Sequence, residues 1–238
     1  MPEIDAKVFL FDIEGTTTPI EFVHKVLFPY STKRFHSYFV SPGIEPELAE
    51  ELIRASQNEP DYAKPVQNNP NSLADFCEFL VTKDRKLGAL KEVQGRIWKS
   101  GYESGELKST IFSDVPHFLE VLKKNGKRLA VYSSGSTEAQ VLIYKYCEAG
   151  DLTKYFERYF DTSVGGKRES ESYLKIAEQM LVSPGEIAFF TDIKEEADAA
   201  QKAGILPYIL DRPGNKPQPE HTYPILKTFD NLVAENFP

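Results

Sequence analysis

Near the amino terminus, Val8-Phe9-Leu10-Phe11-Asp12-Ile13-Glu14-Gly15-Thr16-Thr17 runs an apolar stretch straight into two carboxylates and a glycine-threonine turn. An unbroken apolar strand is buried on both faces, as a central strand of a parallel sheet must be. Open parallel sheets bind ligands in the crevice outside the carboxyl ends of their strands, so Asp12 emerges where ligands gather. Glu14 falls on the same side as Asp12 if the extended geometry persists. An aspartate so placed can attack phosphorus and form an acyl-phosphate, and a second acid can protonate the leaving oxygen and then activate water. Two neighbouring carboxylates also need a cation. Mg2+ takes hard oxygen ligands and neutralises phosphoryl charge, which makes it the natural choice. The bland alternative is that both acids simply cap the turn after a strand, so the rest of the chain has to decide.

The 238 residues can bury a substantial core, as one domain with a large insertion or as two modest domains. A net charge of −8 argues against general nucleic-acid binding or an anionic membrane surface, both of which want a basic face. Cys77 and Cys147 are the only cysteines, too few for a disulfide framework or a zinc cluster, and read as buried thiols in a reducing compartment. No basic and apolar leader opens the chain, and no apolar run approaches the roughly 20 residues that span a bilayer. The expectation is a cytoplasmic protein, with nuclear presence also open.

After the first strand the alternation of strands and helices stops, and residues 19 to 110 read as almost purely helical. Ile20 to Val40 carries apolar residues at helical spacing, with Pro29 expected to break it in two. Glu45 to Ala55 reads as a helix, Gln57 to Asn71 as a loop, and Ser72 as the N-cap of a helix carrying Phe76, Phe79 and Leu80. Leu90, Val93, Ile97 and Trp98 belong to one more. From Asp114 the chain returns to alternation: helix Val115 to Lys124, strand Arg128 to Tyr132, helix Ser136 to Glu148, strand Ile187 to Phe190, helix Glu195 to Ala203 and strand Pro207 to Leu210. Arg212 to Pro224 reads as surface loop.

Three further segments bear chemistry. Strand Leu129 to Tyr132 ends in Ser133-Ser134-Gly135-Ser136, where hydroxyls and backbone N–H groups at a helix start can cradle phosphate; a serine-rich cap and turn is an equal alternative. Lys167, preceded by two glycines and followed by a helix, can hold phosphoryl oxygens and offset the charge of Asp12, although most loop lysines are merely solvated. Asp192 follows an apolar run and should face the same crevice, where it can ligate metal. Glu195, Glu196 and Asp198 could orient those ligands, but a solvated acidic helix start accounts for most of them.

Strand-Asp12-x-Glu14-Gly15-Thr16, strand-Ser133, Lys167 and strand-Asp192 together resemble the four motifs of the haloacid dehalogenase superfamily, in order and across the whole chain. The resemblance implies an α/β, Rossmann-like parallel sheet core, an aspartyl-phosphate intermediate, Mg2+, and a helical cap inserted after the first strand. It divides the chain into a core of residues 1–18 and 111–238 and a cap of residues 19–110. Glu14 stands where the superfamily more usually has a second aspartate. This Asp-Ile-Glu-Gly-Thr-Thr version, with the stretch from Gly95 to Lys108, Val131 to Ser136 and Thr191-Asp192, is similar to one family in particular, the acireductone synthases, the enolase-phosphatases of methionine salvage.

That similarity implies Asp12 and Glu14 as catalytic residues, and Asp12, Glu14 and Asp192 as the magnesium site, with Glu14 contributing its backbone carbonyl. Ser133, Ser134 and Lys167 become substrate contacts. The implied reaction turns 2,3-diketo-5-methylthiopentyl 1-phosphate into the acireductone 1,2-dihydroxy-3-keto-5-methylthiopentene and phosphate. The partner is thus a small phosphorylated diketone, with no nucleic acid and no membrane. The absence of a long leftover apolar stripe favours a monomer. Two rivals stand beside this reading: a related phosphatase acting on a sugar phosphate or phosphoglycolate without enolisation, and a non-catalytic phosphoacceptor that keeps the fold. Phe28, Trp98 and Tyr102 could wall a methylthio group but fit ordinary helical core as well. His24 and His36 read as surface or capping residues.

Overall fold

A computed structural model describes residues 4–41 and 46–236. The chain forms two compact units, one from residues 1–22 with 108–238 and one from residues 23–107.

The first unit is built on a sheet of six parallel strands: β1 (Val8–Phe11), β2 (Arg128–Tyr132), β3 (Arg158–Phe160), β4 (Ile187–Thr191), β5 (Leu206–Leu210) and β6 (Ile225–Leu226), ordered β3-β2-β1-β4-β5-β6. The order reverses at β1, which makes the carboxyl edge beside β1 the topological switch point of an open α/β sheet. Phe11 sits opposite Val131 on one side and Phe190 on the other. The residues that follow these three strands therefore leave the sheet together.

Strand periodicity sorts the core into two layers. Val8 and Leu10 join Ala130, Tyr132, Ile187 and Phe189 on one face, under helices α9 (Ser170–Met180) and α10 (Lys194–Lys202). Phe9, Phe11 and Phe190 lie on the other with Phe118 of α7 (Val115–Lys124) and Phe229, the last two stacked at 4.4 Å between ring centroids. The short strands β3 and β6 are absent from the sequence reading. Two or three residues carry no periodicity of their own, and it is their neighbours' backbones that make them strands. Helix α8 (Thr137–Lys145) begins at an N-cap, Ser136, whose Oγ accepts from Ala139 N at 3.3 Å.

The second unit is helical. Past α1 (Ile20–Phe22), a π turn, Val23–Leu27, leads into α2 (Phe28–Thr32), followed by α3 (Phe35–Val40), α4 (Pro46–Ser56), α5 (Pro70–Thr82) and α6 (Gly88–Glu103). Phe35, Leu52, Phe76 and Val93 are fully buried at its centre. Two details differ from the expected pattern. Pro29 lies in the first turn of α2, where its missing N–H costs nothing, and the break falls after Thr32 instead. The N-cap of α5 is Asn69, three residues ahead of Ser72: its side chain accepts from Ser72 N at 3.0 Å, and Pro70 occupies the first helical turn. Glu45, the expected start of α4, lies outside the described residues. Among the described residues no helix is long and apolar enough to cross a membrane.

Candidate active site

Asp12 leaves β1 with its N–H on Phe190 O at 2.9 Å, so the sheet ladder continues to the nucleophile candidate itself. The extended geometry ends there. Thr16, Thr17 and Thr18 all donate backbone N–H groups to Ile13 O at 3.2, 3.0 and 2.8 Å, coiling the chain into a tight loop. Glu14 therefore does not follow Asp12 in strand alternation, contrary to the expectation from spacing; its place is set by the loop. Gly15 takes a φ of +67°, and a Cβ there would lie 2.5 Å from Asp192 Oδ2. Only glycine satisfies both the left-handed backbone and that approach. The Asp192 carboxylate, leaving β4, is thus pressed against the backbone that follows Glu14.

Lys167 reaches the site by a different route. Gly165 adopts a φ of +136° and a Cβ on it would collide with Ser172 Oγ. Tyr132 Oη donates to Gly165 O at 2.9 Å, Ser172 Oγ to Gly166 O at 2.8 Å and Tyr173 Oη to Lys167 O at 2.7 Å. Three carbonyls in a row are pinned by β2 and the start of α9, which aims the lysine inward. Its Nζ donates to Asp12 Oδ1 and to Glu196 Oε2, each at 2.7 Å, and Lys167 is only 7% exposed. Glu196 Oε2 also accepts from Thr191 Oγ1 at 2.7 Å.

Glu196 is thus part of the site, where the sequence reading treated the acidic start of α10 as mostly solvated. The signal was its spacing: four residues after Asp192, it falls on the inward side of the first turn of α10, whereas Glu195 stays exposed. Asp198 pairs with Lys194 and Tyr223 away from this cluster.

The electrostatics are lopsided. Three buried carboxylates, Asp12, Asp192 and Glu196, face one buried lysine. Burial raises the Asp12 carboxyl well above its ordinary range against the pull of Lys167, with Glu196 and Asp192 adding to the rise. Asp192 is pushed up to about 7, again by burial, with Lys167 opposing and Glu196 and Glu14 assisting. Burial works against the charge on Lys167, but Asp12 and Glu196 outweigh it and hold the ammonium above the usual lysine range. One added dication brings the buried set to neutrality. Among the described residues no three His, Cys, Asp or Glu side chains stand close enough to hold a metal alone. Two carboxylates and a backbone carbonyl leave the remaining positions to water and phosphoryl oxygen, which is how Mg2+ is commonly held beside phosphate. The donor set fits.

Ser133 lies at the end of β2, 6% exposed, with its N–H on Phe160 O at 3.1 Å. The buried Gln140 of α8 shapes this turn by donating its Nε2 to Gly135 O at 2.8 Å and Phe160 O at 2.9 Å. Ser134 is half-buried one residue further. The structure joins Asp12, Lys167, Asp192 and Glu196 into one cluster and sets the Ser133-Ser134 turn one strand to the side, at the same carboxyl edge.

The family model for haloacid dehalogenase-like hydrolases matches residues 6–204, across all four of these segments. The chain belongs to that family. Within it, this haloacid dehalogenase-like hydrolase is 56% identical over 229 residues to enolase-phosphatase E1 of Leptospira borgpetersenii, an alignment covering 96% of this chain and 99% of the relative. It is 57% identical over 224 residues to enolase-phosphatase E1 of Leptospira interrogans, covering 94% and 96%. The crystal structure of the UTR4 protein from Saccharomyces cerevisiae superposes with a TM-score of 0.77 at 34% identity, covering 94% of this chain and 99% of that one.

Proposed function

We propose that this hydrolase converts 2,3-diketo-5-methylthiopentyl 1-phosphate into the acireductone 1,2-dihydroxy-3-keto-5-methylthiopentene and phosphate in methionine salvage, with Asp12 as nucleophile. The observation that carries the residue assignment is the buried Asp12 carboxylate, gripped by Lys167 at 2.7 Å at the switch point of the sheet, in a chain with enolase-phosphatase relatives along nearly its full length.

Asp12 and Asp192 through their carboxylates, with Glu14 through its backbone carbonyl, would hold Mg2+, which when bound supplies charge neutralisation at the phosphoryl group and Lewis-acid polarisation of the diketone. The chain's own groups do the rest. The carbon bearing the phosphate loses a proton to Glu14, and the neighbouring carbonyl oxygen becomes an enolate oxygen. An Asp12 oxygen then bonds to phosphorus, and the phosphorus–oxygen bond to the enol breaks. That oxygen keeps the electron pair and takes a proton from Glu14. Water attacks the aspartyl-phosphate phosphorus as its bond to the Asp12 oxygen breaks; the water proton goes to Glu14, which passes it to the enolate oxygen, so that the dihydroxy product and phosphate leave Asp12 and Glu14 as free carboxylates. Lys167 neutralises charge on the nucleophile side throughout, and Glu196 fixes the lysine without touching substrate. Ser133 and Ser134 donate to the phosphate.

The helical unit, by its insertion after β1, is assigned the part of a cap that sorts substrates. A cytoplasmic setting and a monomeric chain complete the reading; the two buried, unbridged thiols of Cys77 and Cys147 suit a reducing compartment.

The test is chemical trapping. Enzyme turning over the diketone phosphate with Mg2+ is acid-quenched and reduced with borohydride, which converts an aspartyl-phosphate to homoserine. The expected mass change is confined to the peptide carrying residue 12. A change elsewhere, or none under conditions of steady turnover, contradicts the assignment.

A further inference from the structure

The loop after β5 was expected to be surface, yet it grips the loop after β1. Arg212 is 4% exposed and donates its Nε to Thr16 O at 3.2 Å. Asn215 Nδ2 donates to Gly15 O at 2.8 Å and to Leu210 O at 3.0 Å. These two bonds decide which way the amide faces, because flipping it would set its oxygen against two carbonyls. Oδ1 must therefore point the other way. It is buried and has no hydrogen-bond partner among the described residues.

The surroundings of Oδ1 are unusual. It lies 2.7 Å from the point where a Gly15 Cβ would sit, and Asp192 Oδ2 lies 2.5 Å from the same point. An amide oxygen and a carboxylate oxygen, both acceptors, converge on one small space beside the Glu14-Gly15 backbone. An unmet buried acceptor is costly, and a carboxylate oxygen close by adds to the cost unless a donor or a cation stands beside them. The glycine keeps that space clear.

We propose that Asn215 positions the metal of this site: its Oδ1 accepts a hydrogen bond from water in the coordination shell of Mg2+, while its Nδ2 fixes the backbone turn that presents the Glu14 carbonyl. This rests on the reading of Asp12, Glu14 and Asp192 as the magnesium site. Asn215 is then a positioning residue rather than a catalytic one, with its amide divided between the two tasks. Outer partners of this kind govern metal affinity almost as strongly as the ligands themselves.

The test is calorimetric titration of MgCl2 into the full chain after chelator treatment, without substrate, in high salt to screen added charge. Asn215→Leu removes both the donor and the acceptor at nearly constant volume, and Asn215→Asp removes the donors but returns an acceptor oxygen. The expected result is a loss of Mg2+ affinity of about ten- to a hundredfold for the leucine variant. The aspartate variant should stay within a few-fold of wild type, even though both unfold earlier in chelator. Equal loss in both variants means that the amide only anchors the loop, and overturns the proposal. If the leucine variant does not fold, a folded aspartate variant with weak Mg2+ binding overturns it alone. A wild-type chain that takes up no Mg2+ overturns the metal reading of the site, and this inference with it.

Discussion

The two units of this molecule differ most in what they do with charge. Among the described residues of the α/β unit six Asp, Glu, Lys and Arg side chains are buried: Asp12, Asp114, Lys167, Asp192, Glu196 and Arg212. In the helical unit the described buried polar residues are Ser31 and Gln94, and no described charge is buried. Its ion pairs, such as Arg34 with Glu106 or Lys64 with Asp75, lie on the surface. Removing charge from water costs several kcal/mol per ion even after relaxation, on the order of the whole stability of a domain. A chain accepts that cost where the charge has work to do. The contrast therefore marks the α/β unit as the one that carries a buried charge cluster, and the helical unit as one held together by apolar packing.

The sharpest way to break this comparison is Asp12→Asn. Phosphate release should fall by about 10⁴-fold or more, the scale on which loss of a nucleophile is felt. The chain should remain folded, because an amide in that place relieves crowding among carboxylates. Retained turnover would remove Asp12 from the mechanism. Lys167→Met should be costly in both respects. It leaves Asp12, Asp192 and Glu196 without their lysine, at about 3–5 kcal/mol by denaturant unfolding in chelator. Added Mg2+ should recover part of that loss.

In the helical unit Leu52→Ala should cost about 2–5 kcal/mol through the cavity it opens in a fully buried place. Catalysis by folded enzyme should be unaltered in its chemical step. Lys64→Ala, at an exposed pair 3.9 Å long, should leave the unfolding midpoint unchanged within error. Each unit also carries its own reporter. Burial pushes the Cys77 thiol up to about 12, and Cys147 is raised by burial as well, so neither should react in the native state. Along a urea series with Mg2+ present, Cys77 should become labelled before Cys147, since the ion stabilises only the unit that binds it. Labelling of both at one urea concentration, with and without Mg2+, would mean the units unfold together.

Much of the α/β unit was legible in the sequence because buried parallel strands are short apolar runs that end abruptly in polar residues. That pattern places Asp12, Ser133 and Asp192 at strand ends from the sequence alone. The cluster itself was only partly legible. Glu195, Glu196 and Asp198 look alike in the chain, and only the first turn of α10 shows which one points at Lys167. Arg212 and Asn215 were hidden for another reason: a run of prolines and glycine reads as surface loop, and nothing local says that such a loop will clamp another one near two hundred positions away. In the helical unit the periodicity of apolar residues marked the helices well, while their ends slipped. The Asn69-Pro70 pair outcompeted Ser72 as a start because proline suits the first turn and asparagine the cap.

The most direct test of the whole account is anaerobic incubation of the purified protein with the diketone phosphate and Mg2+, following the ultraviolet absorbance of the enol and the release of phosphate in the same sample. The account predicts that both signals appear and that both are abolished by chelator, with phosphate release also abolished by Asp12→Asn. Phosphate freed from generic esters with no enol signal from the diketone would contradict it.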